Sequence, residues 1–177
     1  IELINTYDRE QLRLSAPDLV IVGNAVSRGN SEVEAVLQHR IPMTSMAGLI
    51  GSMFISQNTS IVCAGTHGKT TTSSSTAWIF EHALRKPGFL IGGVPQGLGT
   101  GCRMVPEGVH DTRAGVFIVE GDEYDTAFFD KRSKFVHYRP HTVIVNNLEF
   151  DHADIVDSID DIEWAFRQMI RIVPRDG

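Results

Sequence analysis

The sequence predicts an α/β protein in which a parallel sheet lies between two layers of helices. Two near-continuous apolar segments, 115–120 and 142–146, have the composition of strands that are buried on both faces of a sheet. A third apolar segment, 60–64, leads through a glycine-containing loop into a segment with helical character. Strands that alternate with helices along the chain are typical of a three-layer α/β fold.

Composition and charge exclude several classes of protein. The 177 residues are 42% hydrophobic, which is sufficient for a packed core, and the formal net charge of −6 argues against nonspecific nucleic-acid binding. The chain contains no apolar run of about 18 residues, so no membrane segment is predicted. Cys63 and Cys102 lack metal-ligand spacing, and we expect them to be reduced thiols in a cytoplasmic protein.

The two ends of the sequence bear on its completeness. The chain starts at Ile1 without a methionine or a signal-like segment, and it ends at Gly177 within what has the composition of a connection. We therefore expect a fragment of a longer protein. The sequence leaves its oligomeric state open.

The first 56 residues predict two short strands and two helices. Segment 18–23 is rich in β-branched residues and ends in glycine, as a short strand does, and 41–43 is predicted as a second strand. Ser31 and Glu34 have the spacing of a capping box, which predicts that Ser31 begins the helix between these strands.

The second helix is predicted from a cap and an apolar stripe. Either Thr44 or Ser45 is placed to cap it. Apolar residues then recur at helical spacing and are expected to face a core: Met46, Leu49, Ile50, Met53 and Phe54. The pattern restarts soon afterwards, so we place a domain boundary within about two to four residues of Gln57.

The remaining residues, 57–177, predict a larger unit. After the strand that leads to the glycine loop, the patterns indicate a helix from about 70 to 84, a strand at 89–93 and a glycine-rich connection. The last helix is predicted to begin at Asp157 or Ser158. Its apolar face comprises Ile159, Ile162, Phe166, Met169 and Val173.

The loop at 65–72 reads Gly-Thr-His-Gly-Lys-Thr-Thr-Thr. Glycines let the backbone turn sharply so that N–H groups can point at phosphate oxygens, and the N-terminus of the following helix favours anions. Lys69 supplies a cation for the β- and γ-phosphates, and Thr70 supplies a hydroxyl for Mg²⁺. We therefore predict a nucleoside triphosphate site, in which His67 contributes its backbone N–H. Its contacts are Gly65, Thr66, His67, Gly68, Lys69, Thr70 and Thr71.

This loop is shorter than the general phosphate-binding pattern, because Cys63 stands where that pattern has a glycine. An ordinary strand-to-helix turn is the alternative interpretation. The predicted strand before the loop and the predicted helix after it favour the nucleotide site.

Two further strand ends carry residues that are suited to phosphate chemistry. Ligands of parallel sheets bind beyond the carboxyl ends of the strands, so these residues are expected to converge on the loop. Glu120, the first polar residue after a buried strand, is predicted to bind Mg²⁺, and His152 a second metal or a phosphate. The neighbouring acids Asp122, Glu123 and Asp125 are expected to cap a helix or to face solvent, although one could assist.

The run Lys131-Arg132-Ser133-Lys134 is basic within an acidic protein. It is predicted either to bind a carboxylate-rich or phosphorylated substrate or to form a solvated face. The residues themselves leave both interpretations open.

Three motifs together resemble the ATP-binding domain of the Mur ligases. They are the loop 65–72, the string Glu-Gly-Asp-Glu-Tyr-Asp at 120–125 and the string Asn-Leu-Glu-Phe-Asp-His at 147–152. The longer strings 122–138 and 146–155 are similar to one branch of this family. That branch recycles peptidoglycan by attaching L-alanyl-γ-D-glutamyl-meso-diaminopimelate to UDP-N-acetylmuramate.

The resemblance implies how the chain is organised. The loop 23–30 resembles the family's loop near the UDP-sugar, late in a Rossmann-like domain. Residues 1–56 would then be the C-terminal part of that domain, and 57–177 part of the central P-loop domain. The family's third domain would be absent, so we expect the isolated chain to bind Mg-nucleotide weakly at best and to catalyse no ligation.

The resemblance also implies a reaction. The lactyl carboxylate of UDP-N-acetylmuramate attacks the γ-phosphate of ATP, and the amino group of the peptide then displaces phosphate from the acyl phosphate. Lys69, Glu120 and His152 are the implied catalytic residues, and Thr70, Glu120 and His152 the implied Mg²⁺ ligands. Asn147 is expected at the nucleotide, with Glu149 as a helper. Substrate contacts are expected from Ser27, Arg28, Asn30, Lys131 and Arg132.

Other functions remain as alternatives. A sibling ligase that adds L-alanine would keep the loop and the Asp-His pair but not the string 128–132. A fragment could also act only as a nucleotide-binding or UDP-sugar-binding module. A P-loop kinase or GTPase is disfavoured, because the sequence shows no arginine-rich lid and does not read Asn-Lys-x-Asp at 146–149.

Overall fold

The computed structural model describes residues 6–106, 115–149 and 159–177. Its helices are α1 (Arg9–Ser15), α2 (Ser31–His39), α3 (Met46–Ile50), α4 (Lys69–His82), α5 (Lys134–His137) and α6 (Ile159–Arg171). Its strands are β1 (Val20–Val22), β2 (Met43–Ser45), β3 (Thr59–Ala64), β4 (Gly88–Leu90), β5 (Cys102–Arg103), β6 (Val116–Gly121), β7 (Asp125–Ala127), β8 (Asp130–Ser133) and β9 (Thr142–Val145). Among the described helices, none has the length and apolar character that a bilayer crossing requires.

Five strands form the main sheet, in the order β5, β4, β6, β3, β9. Strands β4, β6, β3 and β9 run parallel, and β5 pairs antiparallel with β4. The central strands are almost completely buried, with Val62 and Ile118 both 0% exposed. The predicted parallel sheet is confirmed.

Strand β9 lies at the edge of this sheet, beside β3. Its first and last residues, Thr142 and Val145, are exposed, and the two between them are partly buried. The expectation that this strand is buried on both faces is therefore wrong. An apolar run does not reveal whether a strand is central, because its sheet neighbours lie elsewhere in the sequence.

Helices cover both faces of the sheet. On one face, Ala77 of α4 joins a core with Ile61 and Ile118. On the other face, α6 buries Phe166 and Met169, two of the residues that were predicted on its apolar side. Each fully buried side chain of this size contributes about 1.5–3 kcal/mol. The predicted three-layer arrangement is confirmed.

The cap of α2 differs from the prediction. The side-chain oxygen of Asn30 accepts the backbone N–H groups of Glu32 and Val33, at 3.0 and 3.2 Å. The hydroxyl of Ser31 instead donates to the carbonyl of Tyr7 at 2.8 Å. The prediction that Ser31 caps this helix is therefore wrong by one residue, because Asn30 is an equally good cap that lies immediately before it.

Helix α3 is capped by Ser45, one of the two predicted caps, whose hydroxyl accepts the backbone N–H of Gly48 at 3.0 Å. It then passes into a π-helical turn at Gly51–Ile55. A π-turn holds more residues than an α-turn, so it rotates the following side chains. Met53 is consequently 57% exposed, and Ile55 is buried in its place.

Two further points concern this segment. Met46, at the start of α3, is 56% exposed, so the predicted apolar stripe is wrong at Met46 and Met53. Phe54 packs against the core, as predicted. Ile50 and Ile55 share a core with Val62 and Val119 of the main sheet. The domain boundary near Gln57 stays a prediction.

Candidate nucleotide-binding site

The loop between β3 and α4 depends on two glycines. Gly65 and Gly68 have φ angles of +139° and +79°, which side-chain-bearing residues rarely adopt. A Cβ at Gly65 would also lie 3.1 Å from the carbonyl oxygen of Asn147, and one at Gly68 would lie 3.1 Å from Nδ2 of Asn146. Both positions therefore require glycine if the loop is to keep this path.

The segment after β9 holds the loop by its backbone. Thr66 donates its N–H to the carbonyl of Asn147 at 3.1 Å, and His67 donates its N–H to Oδ1 of the same residue at 2.9 Å. The hydroxyl of Thr66 accepts the N–H of Glu149 at 2.9 Å and lies 3.0 Å from its carbonyl. The N–H of His67, predicted for phosphate, is thus paired with protein in this structure.

Asn146 adds a contact that sequence reasoning missed. Its Nδ2 lies 2.8 Å from the hydroxyl of Thr72 and 3.2 Å from the carbonyl of His67. It therefore links the loop to the first turn of α4. The sequence signal for it is that an amide residue ends a predicted strand.

Glu120 and Thr70 meet beside the loop, as predicted. The hydroxyl of Thr70 lies 3.1 Å from Oε2 of Glu120. The other oxygen, Oε1, accepts the backbone N–H of Gly92 at 2.8 Å and lies 3.4 Å from the hydroxyl of Ser73. These contacts hold the carboxylate at the N-terminus of α4.

The spacing of these two oxygens fits a magnesium ion. Neighbouring ligands of octahedral Mg²⁺ lie roughly 2.9 Å apart, given metal–oxygen distances of about 2.0–2.1 Å. Within the described ranges, no group of three or more His, Cys, Asp or Glu side chains is placed to hold a metal. The predicted ligand His152 lies outside the described residues. Of the predicted Mg²⁺ ligands, the described residues thus include the Glu120 carboxylate and the Thr70 hydroxyl.

Lys69 is held at this site by a residue whose role the sequence analysis missed. Its Nζ lies 3.0 Å from Oε2 of Glu123, and the two side chains are only 18% and 8% exposed. The expectation that Glu123 caps a helix or faces solvent is therefore wrong, and its contact with Lys69 fits the alternative that one of these acids assists at the site. The available signal was that Glu123 follows the same strand end as Glu120.

The other two acids at this strand end also pair with lysines. Asp122 lies 2.6 Å from Nζ of Lys134, and Asp125 lies 2.7 Å from Nζ of Lys131. No helix begins here for them to cap, because the chain continues into β7. The expected capping role is wrong, whereas Asp125 is exposed, as the alternative expectation had it.

Two clefts border the site. One, of about 420 Å³, is lined by Lys69 and Glu120 together with Asn24 from the loop after β1. Another, of about 920 Å³, runs along α4 past Thr71 and Trp78. The glycine loop is thus bordered by a cleft on each side.

The residues predicted to bind substrate are only partly brought together. Ser27 and Lys131 line a common cleft of about 550 Å³, which also borders Glu123. Asn30 is occupied as the cap of α2. Their role toward a substrate stays a prediction.

The two arginines of the predicted substrate set are held by carboxylates. Arg28 lies 2.8 Å from Glu34, and Arg132 lies 2.6 Å from Asp130. Hydrogen bonding to Arg28 lowers the pKa of Glu34 to about 2, and hydrogen bonding to Arg132 lowers the pKa of Asp130 to about 2. Both arginines are thus engaged within the protein, and a substrate would have to share them.

The chain matches a family of known proteins. A family model described as the Mur ligase middle domain matches residues 63–177. A relative from Escherichia coli, named UDP-N-acetylmuramate:L-alanyl-gamma-D-glutamyl-meso-2,6-diaminoheptandioate ligase, is 50% identical over 177 residues. The match covers 100% of this chain but 37% of that protein, so the chain spans little more than a third of its relative's length.

Two further comparisons agree with this match. The crystal structure of UDP-N-acetylmuramate:L-alanyl-gamma-D-glutamyl-meso-diaminopimelate ligase from Neisseria meningitides has a TM-score of 0.91 and 44% identity, over 98% of this chain and 54% of that chain. A UDP-N-acetylmuramate:L-alanine ligase from Syntrophomonas wolfei is 28% identical over 177 residues, which is 100% of this chain and 35% of that protein.

Proposed function

The chain belongs to the Mur ligase middle-domain family, and from this premise we propose that it is the nucleotide-binding part of an ATP-dependent ligase. The proposed reaction joins the peptide L-alanyl-γ-D-glutamyl-meso-diaminopimelate to UDP-N-acetylmuramate. The observation that supports it most directly is the meeting of Thr70 and Glu120 at 3.1 Å, beside the glycine loop that carries Lys69. Cytoplasmic location, where such precursors and ATP occur together, is part of the proposal.

The identities favour the peptide over L-alanine as the amine substrate. The relative that carries the peptide in its name is 50% identical to this chain, whereas the relative that carries L-alanine is 28% identical. The domain division at Gln57, with a UDP-sugar-binding segment before it, belongs to the same proposal.

Each residue at the loop has a proposed task. Lys69 and the backbone N–H groups at the start of α4 hold the phosphates of ATP, where the helix dipole favours anions. Thr70 and Glu120 would hold Mg²⁺, which when bound neutralises charge on the phosphates. The N–H of Gly92 fixes Glu120 in the required orientation. Asn147 holds the loop in place by accepting a hydrogen bond from the N–H of His67.

The two chemical steps place few demands on the protein beyond position and charge. The carboxylate of UDP-N-acetylmuramate attacks the γ-phosphate, and ADP leaves. The amino group of the peptide then attacks the acyl carbon, and phosphate leaves. Catalysis of such steps comes from holding the reactants in line and from neutralising the phosphates. His152, outside the described residues, stays in the proposal as a second metal ligand.

The test uses the extended protein, meaning this chain with the segments that flank the matching region in its relatives. ADP release is measured with UDP-N-acetylmuramate, ATP and Mg²⁺ after addition of either the tripeptide or L-alanine. Tripeptide-dependent release is the expected result. Release only with L-alanine would assign the protein to the sibling reaction, and no release with either would contradict ligase function.

A second measurement separates the chain from the extended protein. We expect this chain alone to bind Mg-nucleotide weakly and to form no ligation product. Ligation by the chain alone would contradict the proposal that the flanking segments are required.

A further inference from the structure

The lysine of the nucleotide loop is fully engaged by protein acceptors. Its Nζ lies 3.0 Å from Oε2 of Glu123, 2.8 Å from the carbonyl of Gly65 and 3.3 Å from the carbonyl of Thr66. An ammonium group has three N–H donors. These three acceptors therefore use its whole donor capacity. A phosphate gains a hydrogen bond from Lys69 only if one of these contacts is given up.

Glu123 is the partner that matters, because it alone among the three carries a charge. Its side chain is 8% exposed, so water screens the pair poorly. Among the described residues, Lys69 is the one hydrogen-bond partner found for the Glu123 side chain. The carboxylate therefore depends on Lys69 for its compensation, and a phosphate placed at Lys69 would meet an uncompensated negative charge.

Glu120, three residues earlier, provides the contrast. Its carboxylate is held by the hydroxyl of Thr70 and the N–H of Gly92, both of which are uncharged. It can accept a cation without losing a charged partner. One strand end thus supplies two carboxylates with different partners, one open to a metal ion and one already paired with the phosphate-binding lysine.

We propose that Glu123 is a positioning residue that competes with the nucleotide phosphate for Lys69. Nucleotide binding then exchanges the carboxylate contact of the lysine for a phosphate contact. The inference rests on the proposed function, since it requires that a nucleotide binds at this loop.

The competition predicts the direction in which the nucleotide affinity changes when Glu123 is replaced. An apparent affinity falls in proportion to the fraction of molecules that are ready to bind. If Lys69 is paired with Glu123 in about nine molecules of ten, removal of the carboxylate tightens nucleotide binding roughly tenfold. A carboxylate that merely supported the fold would weaken binding when it is removed.

The test compares Glu123→Gln with Glu163→Gln in the extended protein. Glu163 pairs with Arg167 on the surface of α6, with side chains 47% and 71% exposed, so the same chemical change is made away from the loop. Acetylation of Lys69 by acetic anhydride, read by mass spectrometry, is measured first without nucleotide. The dissociation constant of a fluorescent ATP analogue with Mg²⁺ is measured next.

We expect Glu123→Gln to raise the acetylation rate of Lys69 severalfold and to tighten nucleotide binding roughly tenfold, with Glu163→Gln like the parent. Glu123→Asp keeps the charge on a shorter side chain and is expected to give intermediate values. Glu123→Asp also replaces Glu123→Gln in both measurements if Glu123→Gln does not fold.

Unchanged acetylation of Lys69, or nucleotide binding that is equal or weaker in the folded Glu123 variants, overturns the proposal. Failure of the parent and all variants to bind nucleotide would instead contradict the proposed function, and the exchange with it. Binding by the Glu123 variants but not by the parent would support the competition in its strongest form.

Discussion

Two lysine–carboxylate pairs near the end of β6 differ mainly in their exposure to water. Lys69 and Glu123 are 3.0 Å apart with side chains 18% and 8% exposed, whereas Lys131 and Asp125 are 2.7 Å apart with side chains 72% and 54% exposed. Exposed pairs contribute about 0–1 kcal/mol, because water screens the charges and ordering the side chains costs entropy. Loss of one partner in a buried pair leaves an uncompensated charge.

The distance between two charges is therefore a poor guide to how much the pair contributes to stability or binding. The shorter of these two pairs is the one that we expect to matter less. The two regions also differ in how their backbone is held. The N–H of His67, in the loop before Lys69, donates to Asn147 from a distant segment, whereas Phe129 at the tip of the hairpin formed by β7 and β8 is exposed.

The largest effect is expected at Lys69. In the extended protein, Lys69→Met should lower kcat/KM for ATP by roughly 10²–10³, because the charge that we propose for the phosphates is lost. ADP release at varied ATP concentration measures this. The control is Lys86→Met, an exposed lysine far from the loop, which should leave the value within about twofold. Equal losses of kcat/KM from the two substitutions would mean that Lys69 has no special role toward ATP.

The next largest effect is expected at a glycine of the loop, where the backbone conformation is tested instead of a charge. Gly65→Ala should destabilise this chain by about 1–3 kcal/mol, since it places a side chain at positive φ and against Asn147. Gly23→Ala, at an exposed glycine with nothing within 4 Å of the added carbon, should change stability by less than about 0.5 kcal/mol. Urea denaturation measures both values. A tolerated Gly65→Ala would show that the loop is not held as tightly as its contacts indicate.

A third ion pair, Asp130 with Arg132, has an intermediate exposure to water. Asp130 is 14% exposed and Arg132 is 61% exposed, so this pair lies between the other two. Hydrogen bonding to Arg132 lowers the pKa of Asp130 to about 2, below its ordinary value near 3.8. The folded-state pKa is thus below the unfolded one. The resulting stabilisation is complete above about pH 4 and is lost as the pH falls toward 2.

We therefore expect the parent to lose stability faster than Asp130→Asn between pH 4 and pH 2, and to be more stable than that variant near neutral pH. Urea denaturation at several pH values measures the two curves. The expected loss at neutral pH is smaller than that of Gly65→Ala and larger than that of Lys131→Met. Parallel curves would mean that Asp130 does not provide this pH dependence.

The smallest effect is expected at the exposed pair. Lys131→Met should change the free energy of unfolding of this chain by less than about 0.5 kcal/mol, and added salt should reduce the difference further. Denaturation at low and high salt measures it. A loss comparable with that of Gly65→Ala would contradict the view that exposure decides the contribution of such pairs.

Local chemistry determined much of the fold. The β-branched runs, the helix after the loop and the cap at Ser45 were predictable, because each depends on residues within a few positions of one another. Asn30 and the π-turn at Gly51–Ile55 were missed within that short range. In the first case two good caps stood side by side. In the second, Gly51 gives close approach to α5, since a Cβ there would clash with the carbonyl oxygen of His137.

Local residue types in the sequence are enough to predict the glycine loop and its lysine, because loops that bind phosphate at a helix N-terminus need those residue types in that order. The meeting of Thr70 and Glu120 was predicted from their positions, one at a helix N-terminus and one at a strand end. The pairing of Glu123 with Lys69 and the hydrogen bond from the N–H of His67 to Asn147 follow from the tertiary structure alone. These partners are 54 and 80 residues apart. Such contacts follow from the order of strands in the sheet, which brings the carboxyl ends of β3, β6 and β9 to one edge, and no local pattern specifies which side chains meet there.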